Sequence, residues 1–293
     1  MPAPESPSEA ASDDAVIRLG LIGDNIAVSQ APRLHRLAGL QNGREVTYDR
    51  LVPRELGQDH ATILADCAAR GYRGLNITYP YKEKVAALVR ISDPMVRRLG
   101  AVNTVLFEPT GAEGHNTDHS GFISAYRAAR GPTPPGTTLL IGTGGVGRAI
   151  AFALVALDAS EIRLADHDIE KAEVLASELE AAKPGLRVTV GRDAAEMSEG
   201  TEGLINATPV GMTGHPGSPL EASAITGAWA FDAVYTPVET EFLTTAQAAG
   251  LRVISGYELF IWQGVDAWKL FTGLPLDVAR LRSDLAKTDP ATS

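Results

Sequence analysis

The chain has 293 residues, enough for two domains of ordinary size, and its apolar (44%) and charged (21%) fractions are those of a globular protein. A formal net charge of −10 with no basic block argues against a nucleic-acid partner. No apolar run reaches membrane-spanning length, and the N-terminus lacks the basic start and apolar core of a signal peptide, so a cytoplasmic protein is expected.

Residues 1–14, rich in Pro, Ala, Ser and acids, read as a disordered tail. Val16 to Ile22 is a strand-like apolar run, followed by a loop from Gly23 to Pro32 and a helix from Pro32 to Gly39. Val46 to Val52 reads as a second strand. Asp59 to Arg70 has helical spacing and stops at Gly71. It contains the single cysteine, Cys67, read as a packed thiol; no internal disulfide can form, which fits a reducing compartment. Gly74 to Thr78 is a third strand, Tyr81 to Arg90 a helix and Ala101 to Phe107 a strand. His115-Asn116-Thr117-Asp118 then leads into a helix from Ser120 to Arg130. The alternation predicts an α/β domain with a largely parallel sheet.

Gly131-Pro132-Thr133-Pro134-Pro135-Gly136 is the clearest linker. Beyond it, Thr138-Leu139-Leu140-Ile141 reads as a buried strand and Gly142-Thr143-Gly144-Gly145-Val146-Gly147 satisfies G-x-G-x-x-G. A helix with Ile150, Ala151, Leu154 and Val155 on one face follows, then a strand Glu161 to Ala165 that ends at Asp166. This order is the dinucleotide-binding fingerprint. Gly142 permits the tight turn, Gly144 admits a pyrophosphate, and Gly147 lets the helix pack closely on the strand. Gly145 and Val146 complete the turn, and the free N–H groups of the helix start face the phosphates. Asp166 suits a ribose 2′-hydroxyl and repels a 2′-phosphate, which predicts NAD rather than NADP.

Later strands end at Val190, Asn206, Asp232 and near Arg252. Strand ends line the ligand crevice of an open α/β sheet, so Asn206-Ala207-Thr208-Pro209 and Asp232-Ala233-Val234-Tyr235 are cofactor-side loops. Gly256 ends this domain and is retained as a nicotinamide contact. Helices are expected from Tyr257 to Thr272 and from Leu276 to Ala286.

Ser29-Gln30-Ala31-Pro32, Asn76-Ile77-Thr78-Tyr79-Pro80-Tyr81-Lys82, Gly100-Ala101-Val102-Asn103-Thr104 and Asn116-Thr117-Asp118 resemble, in the same order, segments of the shikimate dehydrogenase family. The glycine turn, Asn206-Ala207-Thr208-Pro209 and Gln263 extend the likeness from Leu19 to Arg282. Gly114-His115, Ala165-Asp166 and Phe271-Thr272-Gly273-Leu274 make it most similar to the NAD-using quinate/shikimate dehydrogenases of actinobacterial type.

The resemblance implies two α/β domains. A substrate domain would be built from residues 15–118 and 257–288, with the C-terminal helices packing back on it, and a Rossmann NAD-binding domain from 119–256. It also implies reversible hydride transfer at a ring secondary alcohol, taking shikimate to 3-dehydroshikimate or quinate to 3-dehydroquinate. The partner is then a small cyclic polyol carboxylate, and a homodimer is compatible with the chain. Lys82 and Asp118 would stand beside the reacting hydroxyl, with Asn76, Thr78, Asn103 and Gln263 on the ring and Ser29 with Tyr235 on the carboxylate. Thr208, Pro209, Val234 and Gly256 would join the glycine turn around NAD.

Hydride loss requires removal of the hydroxyl proton, so a base is needed within hydrogen-bond reach. Lys82 either is that base or orients and polarises the oxygen. Alone, Lys82 reads as a solvated charge and Asp118 as the cap of the next helix. Together with Asn76 and Asn103 they read as functional. His115, Asp118 and His119 lack a ligand from a third element, so no metal is assigned.

The family usually carries a second hydroxyl where this chain has Ala31. Its absence either costs affinity for the carboxylate or marks a different ring. An amino-substituted ring facing Glu258, or a related cyclic polyol, is the alternative within the enzyme class. A non-catalytic ligand sensor is the alternative outside it, and retention of Lys82, Asp118 and Asp166 argues against it.

Overall fold

The computed structural model describes residues 16–287, so the tail expected at 1–14 lies outside the described residues. Two sheets organise the chain. The first half contains β1 (Ile17–Ile22), α1 (Ala31–Gln41), β2 (Val46–Leu51), α2 (Pro53–Leu56), α3 (His60–Ala69), β3 (Gly74–Ile77), α4 (Lys82–Ala86), α5 (Pro94–Leu99), β4 (Thr104–Glu108) and β5 (Gly111–His115). Helix α6 (Thr117–Arg130) then leads to β6 (Thr137–Ile141), α7 (Gly145–Ala156), β7 (Glu161–Ala165), α8 (Ile169–Ala182), β8 (Arg187–Gly191), α9 (Ala194–Ser198) and β9 (Gly203–Asn206). The chain closes with β10 (Trp229–Asp232), α10 (Glu241–Ala248), β11 (Arg252–Ile254), α11 (Gly256–Thr272) and α12 (Val278–Ala286).

The first sheet has the order β2-β1-β3-β4-β5. Its first three strands are parallel, whereas β4 is antiparallel to β3 and to β5. It is therefore mixed rather than largely parallel. The reason is β4, which runs against both of its neighbours; β5, Gly111-Ala112-Glu113-Gly114-His115, has no strand-forming side chains and is a strand through its pairing with β4 and the bridge to Arg90. The helix expected over Tyr81–Arg90 ends at Ala86, because Arg90 is drawn into a bridge with Glu113. Helix α5, not expected from the sequence, starts on the Asp93 cap, which accepts from Met95 N, and stops at Gly100.

The second sheet is wholly parallel in the order β11-β10-β9-β6-β7-β8, the doubly wound arrangement whose strand order reverses between β6 and β9. Helix α7 is buried from Ala149 to Leu154, not only along one stripe, because it packs on β6, α5, α6 and α8 together. Trp229, the first residue of β10, is fully buried, with its indole N–H donated to Pro135 O at 3.1 Å. At about 25 cal/mol per Å² such a ring contributes roughly 4–6 kcal/mol.

The C-terminal helices return to the first half. Helix α11 packs on α6, α1 and β4, and α12 packs on α1. Leu34, Phe260, Ile261, Leu281 and Leu285 form the core between them. Strand ends and the loops beyond them carry Asn76, Thr78, Asp166, Thr208 and Val234, whereas Lys82, Asp118 and Gln263 are on helices.

Candidate functional site

The first sheet reverses strand order between β1 and β3, and ligands bind open α/β sheets at such points. Asn76 lies at the end of β3, paired in register with Leu21 and Thr104. Its Oδ1 accepts from the Tyr48 hydroxyl at 2.9 Å, and its Nδ2 donates to Thr104 Oγ1 at 3.2 Å. Thr104 Oγ1 donates to Asn103 Oδ1 at 3.0 Å, and Asn103 Nδ2 donates to Thr117 Oγ1 at 3.0 Å. Asn103 Oδ1 also accepts from Thr117 N at 2.7 Å. A continuous buried chain thus runs from Tyr48 through Asn76 and Asn103 to the first residue of α6.

That chain sets the position of the next residue, Asp118. The cap of α6 is Asn116, whose Oδ1 accepts from His119 N at 3.1 Å. Asp118 therefore lies inside the first turn and is no cap; α6 begins earlier than the expected Ser120. Its carboxylate is freed for Lys82, the first residue of α4: Lys82 Nζ donates to Asp118 Oδ2 at 2.6 Å. The side chains are 13% and 9% exposed, so water screens the pair weakly.

Thr78, half-buried just beyond β3, donates its N–H to Ile22 O at 2.8 Å. Gln263 reaches the same region from α11. Helices α6 and α11 meet at Gly121, where a Cβ would fall 2.8 Å from Gln263 N, and the Gln263 amide donates to Phe260 O at 2.9 Å. Ser29 Oγ accepts from Ala31 N at 3.3 Å. Ala31 itself is buried in the cluster of Leu19, Ile26 and Tyr48. Tyr235 stacks on Phe260 with ring centroids 5.4 Å apart, and burial pushes its phenol above the usual range. Among the described residues no hydrogen bond joins Ser29 to Tyr235. Glu258 is held bidentately by Arg282, with both contacts at 2.6 Å.

The second half of the site is the glycine turn. Gly142 has φ +94°, and a Cβ on Gly147 would lie 1.9 Å from Gly142 O, so neither tolerates a side chain. Around Gly144 the space is open, and α7 starts there with no side-chain cap and no acid in its first turn. Its first N–H groups are thus available to an anion, and the residues Gly142, Gly144, Gly145, Val146 and Gly147 fit a pyrophosphate. Across the order reversal, Thr208 Cγ2 would be 2.9 Å from a Cβ on Gly142. Thr208 donates to Asn206 Oδ1 through N at 3.0 Å and Oγ1 at 2.7 Å, and Pro209 follows it. Gly256 packs against the strand-end loop holding Val234: a Cβ there would be 2.6 Å from Ala233 O and 2.7 Å from Val234 O.

Asp166 ends β7 beside the turn. Its Oδ2 accepts from Thr143 N at 2.6 Å and Thr143 Oγ1 at 2.7 Å, and its Oδ1 accepts from Asp168 N at 3.0 Å. Burial acts to raise this carboxyl, but the hydrogen bonds from Thr143 and Asp168, with Lys171 nearby, hold it below its ordinary value. It is an anion at neutral pH. The adjoining cleft is lined by His167, Asp168, Ile169, Glu170 and Arg192, and Arg192 donates to His167 O at 2.6 Å. Among the described residues no group of three or more His, Cys, Asp or Glu is arranged to hold a metal, and no helix is long and apolar enough to cross a membrane.

Tyr48, Thr104 and Thr117, which hold the two asparagines, were not singled out in the sequence. Nothing in the alternating Val46–Leu51 strand marks Tyr48, and the two threonines stand only as neighbours of motif residues. Thr143 carried a signal, as the variable position between the first two glycines.

Residues 21–105 match the family model of the shikimate dehydrogenase substrate-binding domain. The chain is 40% identical over 274 residues to the quinate/shikimate dehydrogenase (NAD(+)) of Corynebacterium glutamicum, covering 91% of this chain and 96% of the relative. Among solved structures it is similar to quinate dehydrogenase from Corynebacterium glutamicum in complex with NAD. That match has a TM-score of 0.86 at 38% identity and covers 92% of this chain and 98% of that one. It is also similar to shikimate 5-dehydrogenase from Thermus thermophilus in complex with NADP(H) and shikimate, with a TM-score of 0.80 at 34% identity, covering 92% and 98%. Identity of 40% over 91% of the chain makes it a member of the shikimate dehydrogenase family.

Proposed function

We propose that this protein is an NAD-dependent dehydrogenase that oxidises shikimate to 3-dehydroshikimate, quinate to 3-dehydroquinate, or both, reversibly. The observation that carries the reading is the Lys82–Asp118 pair, shielded from water next to a turn built for a dinucleotide. The names of the two Corynebacterium glutamicum proteins agree with it in both cofactor and ring.

Bound NAD supplies the hydride acceptor. The protein's part is the proton and the geometry. As the carbon gives up its hydride, the O–H bond breaks and a C=O forms, so the hydroxyl proton must move to the Lys82–Asp118 pair. Lys82 Nζ takes it in the neutral form, and Asp118 stabilises the ammonium that results. In the reverse direction the same ammonium returns the proton to the carbonyl oxygen.

Asn76 and Asn103, whose amide oxygens are already occupied by protein donors, offer their remaining N–H groups to ring oxygens. Thr78 and Gln263 complete the wall around the ring, and Ser29 and Tyr235 donate to the carboxylate. Both oxygens of Glu258 are engaged by Arg282, which leaves this carboxylate less available to an amino-substituted ring. Gly142, Gly144, Gly145, Val146 and Gly147 hold the pyrophosphate, Asp166 the adenosine ribose, and Thr208, Pro209, Val234 and Gly256 the nicotinamide end. A single buried cysteine, Cys67, supports a cytoplasmic setting.

The test is NADH formation with shikimate, quinate and an amino analogue in turn, repeated with NADP. Turnover on shikimate or quinate with NAD is expected. Activity only on another cyclic alcohol would mean a changed ring, and binding of NAD with no turnover would favour a sensor.

A further inference from the structure

A fully buried carboxylate with no cationic hydrogen-bond partner among the described residues sits behind the crevice. Asp232, the last residue of β10, is 0% exposed. Its Oδ1 accepts from Asn206 Nδ2 at 2.9 Å and from Val234 N at 2.9 Å, and its Oδ2 accepts from Thr240 Oγ1 at 2.6 Å. Burial pushes the carboxyl up to about 6, against the pull of the Thr240, Val234 and Asn206 hydrogen bonds.

An uncompensated buried carboxylate is costly, and the proton reaction described above has no use for one. Its effect is directional. A carboxylate only accepts, so Asn206 must turn its amide N–H toward Asp232 and its Oδ1 away from it. That Oδ1 is the group that accepts from both Thr208 N and Thr208 Oγ1. The same Nδ2 also donates to Val210 O at 2.9 Å, which fixes the far end of that loop. Through Val234 N the carboxylate fixes the start of the loop bearing Tyr235, and through Thr240 it anchors the cap of α10. One buried group therefore orients two loops that leave the adjacent strands β9 and β10, on one side of the switch point.

We infer that Asp232 is a positioning residue: through the orientation of Asn206 and the Val234 amide, it holds the Thr208–Pro209 and Val234–Tyr235 loops in the geometry that receives the nicotinamide end of NAD. This rests on the proposed assignment of those loops to NAD and substrate.

The test uses the full-length protein with Asp232→Leu, which removes both acceptor oxygens and with them all three hydrogen bonds, and Asp232→Asn, which keeps an oxygen for Asn206 and Val234. Circular dichroism and thermal unfolding check that each is folded. NADH binding is read by fluorescence, KM for NAD and kcat by steady-state assay, and Thr208→Ala is made alone and in the Asp232→Asn background. Losing hydrogen bonds to a charged group predicts about tenfold to a hundredfold weaker NADH binding in the leucine variant and a smaller loss in the asparagine variant. The effects of Asp232→Asn and Thr208→Ala should be non-additive. Unchanged NADH affinity and KM for NAD in a folded Asp232→Leu protein overturns the inference. If that variant does not fold, additive behaviour of Asp232→Asn with Thr208→Ala overturns it. A wild-type protein inactive on shikimate and quinate would sink the proposed reaction instead, and the NADH-binding arm would still decide the role of Asp232.

Discussion

Lys82 stands over the glycine turn of the other sheet: a Cβ placed on Gly145 would lie 3.7 Å from its Cδ. The residue belongs to the first sheet's connections, its carboxylate partner Asp118 to the helix that joins the halves, and its neighbour Gly145 to the start of α7. Chemistry at this amine therefore depends on both halves being together, and no isolated half carries it.

Replacing Lys82 by Met keeps the length of the stem and removes the charge and the proton site. Turnover should fall by about a hundredfold to ten-thousandfold, the usual contribution of a positioned acid–base group. NADH binding should stay near wild type, because the turn is untouched. Steady-state kinetics and NADH fluorescence titration measure the two separately, and normal turnover would remove Lys82 from the reaction.

Asp166 holds Thr143 by two hydrogen bonds, and the cleft that follows it in sequence is lined by Asp168 and Glu170. Asp166→Ser should raise KM for NAD by about tenfold to a hundredfold and narrow the preference over NADP. Thr143→Val loses only the hydroxyl bond and keeps the backbone one, so its effect on KM should be smaller. If NADP remains rejected as strongly in Asp166→Ser as in wild type, the other acids of the cleft set the choice.

The legible parts of the molecule are those whose physics is local. Gly142 and Gly147 are demanded by backbone contacts within one turn, and Asp166 by its place at the end of the following strand. The pairs that depend on folding were hidden. Asn206 and Asp232 become neighbours only because β9 and β10 pair, and Glu258 gains its ion-pair partner only because α12 brings Arg282 back to α11. β5 has no propensity of its own, and the start of α6 shifted because Asn116, not Asp118, takes the cap. Lys82 and Asp118 were found through the order of motifs; their contact needed the chain of buried hydrogen bonds that ends at Thr117.

Burial lowers His35 to about 4, partly offset by its hydrogen bond to Asn76, and the ring is stacked on Tyr48 at 5.3 Å. The folded protein binds this proton less readily than the unfolded chain, whose histidine titrates near its ordinary 6.5. Its stabilising contribution is therefore intact above pH ~6.5 and is lost as the pH falls toward about 4, by roughly 3 kcal/mol in full. Asp232 has the opposite sign, since its raised carboxyl favours the folded state on acidification, so the wild-type profile alone mixes the two. The comparison that isolates His35 is urea unfolding of wild type and His35→Gln at several pH values in that window. The stability difference between them should shrink by about 2–3 kcal/mol toward the acid end. A constant difference would mean that His35 is protonated in the fold.

Ala31 occupies the first position of α1, one residue before Pro32 and two after Ser29, whose hydroxyl accepts its N–H. A serine here adds one oxygen at the helix start, beside the residue proposed to hold the carboxylate, without disturbing the Pro32 entry. If Ala31 costs affinity only, Ala31→Ser should lower KM for shikimate or quinate by about tenfold while kcat and KM for NAD change little, the signature of uniform binding. Because Ala31 is packed against Leu19, Ile26 and Tyr48, a small loss of stability should accompany it, read as a lower thermal midpoint. Steady-state kinetics on both rings decides the matter. A KM that rises on both would mean that the methyl group is shaped to the natural substrate, and that this pocket is built for a ring with less need of a second hydroxyl donor at its carboxylate.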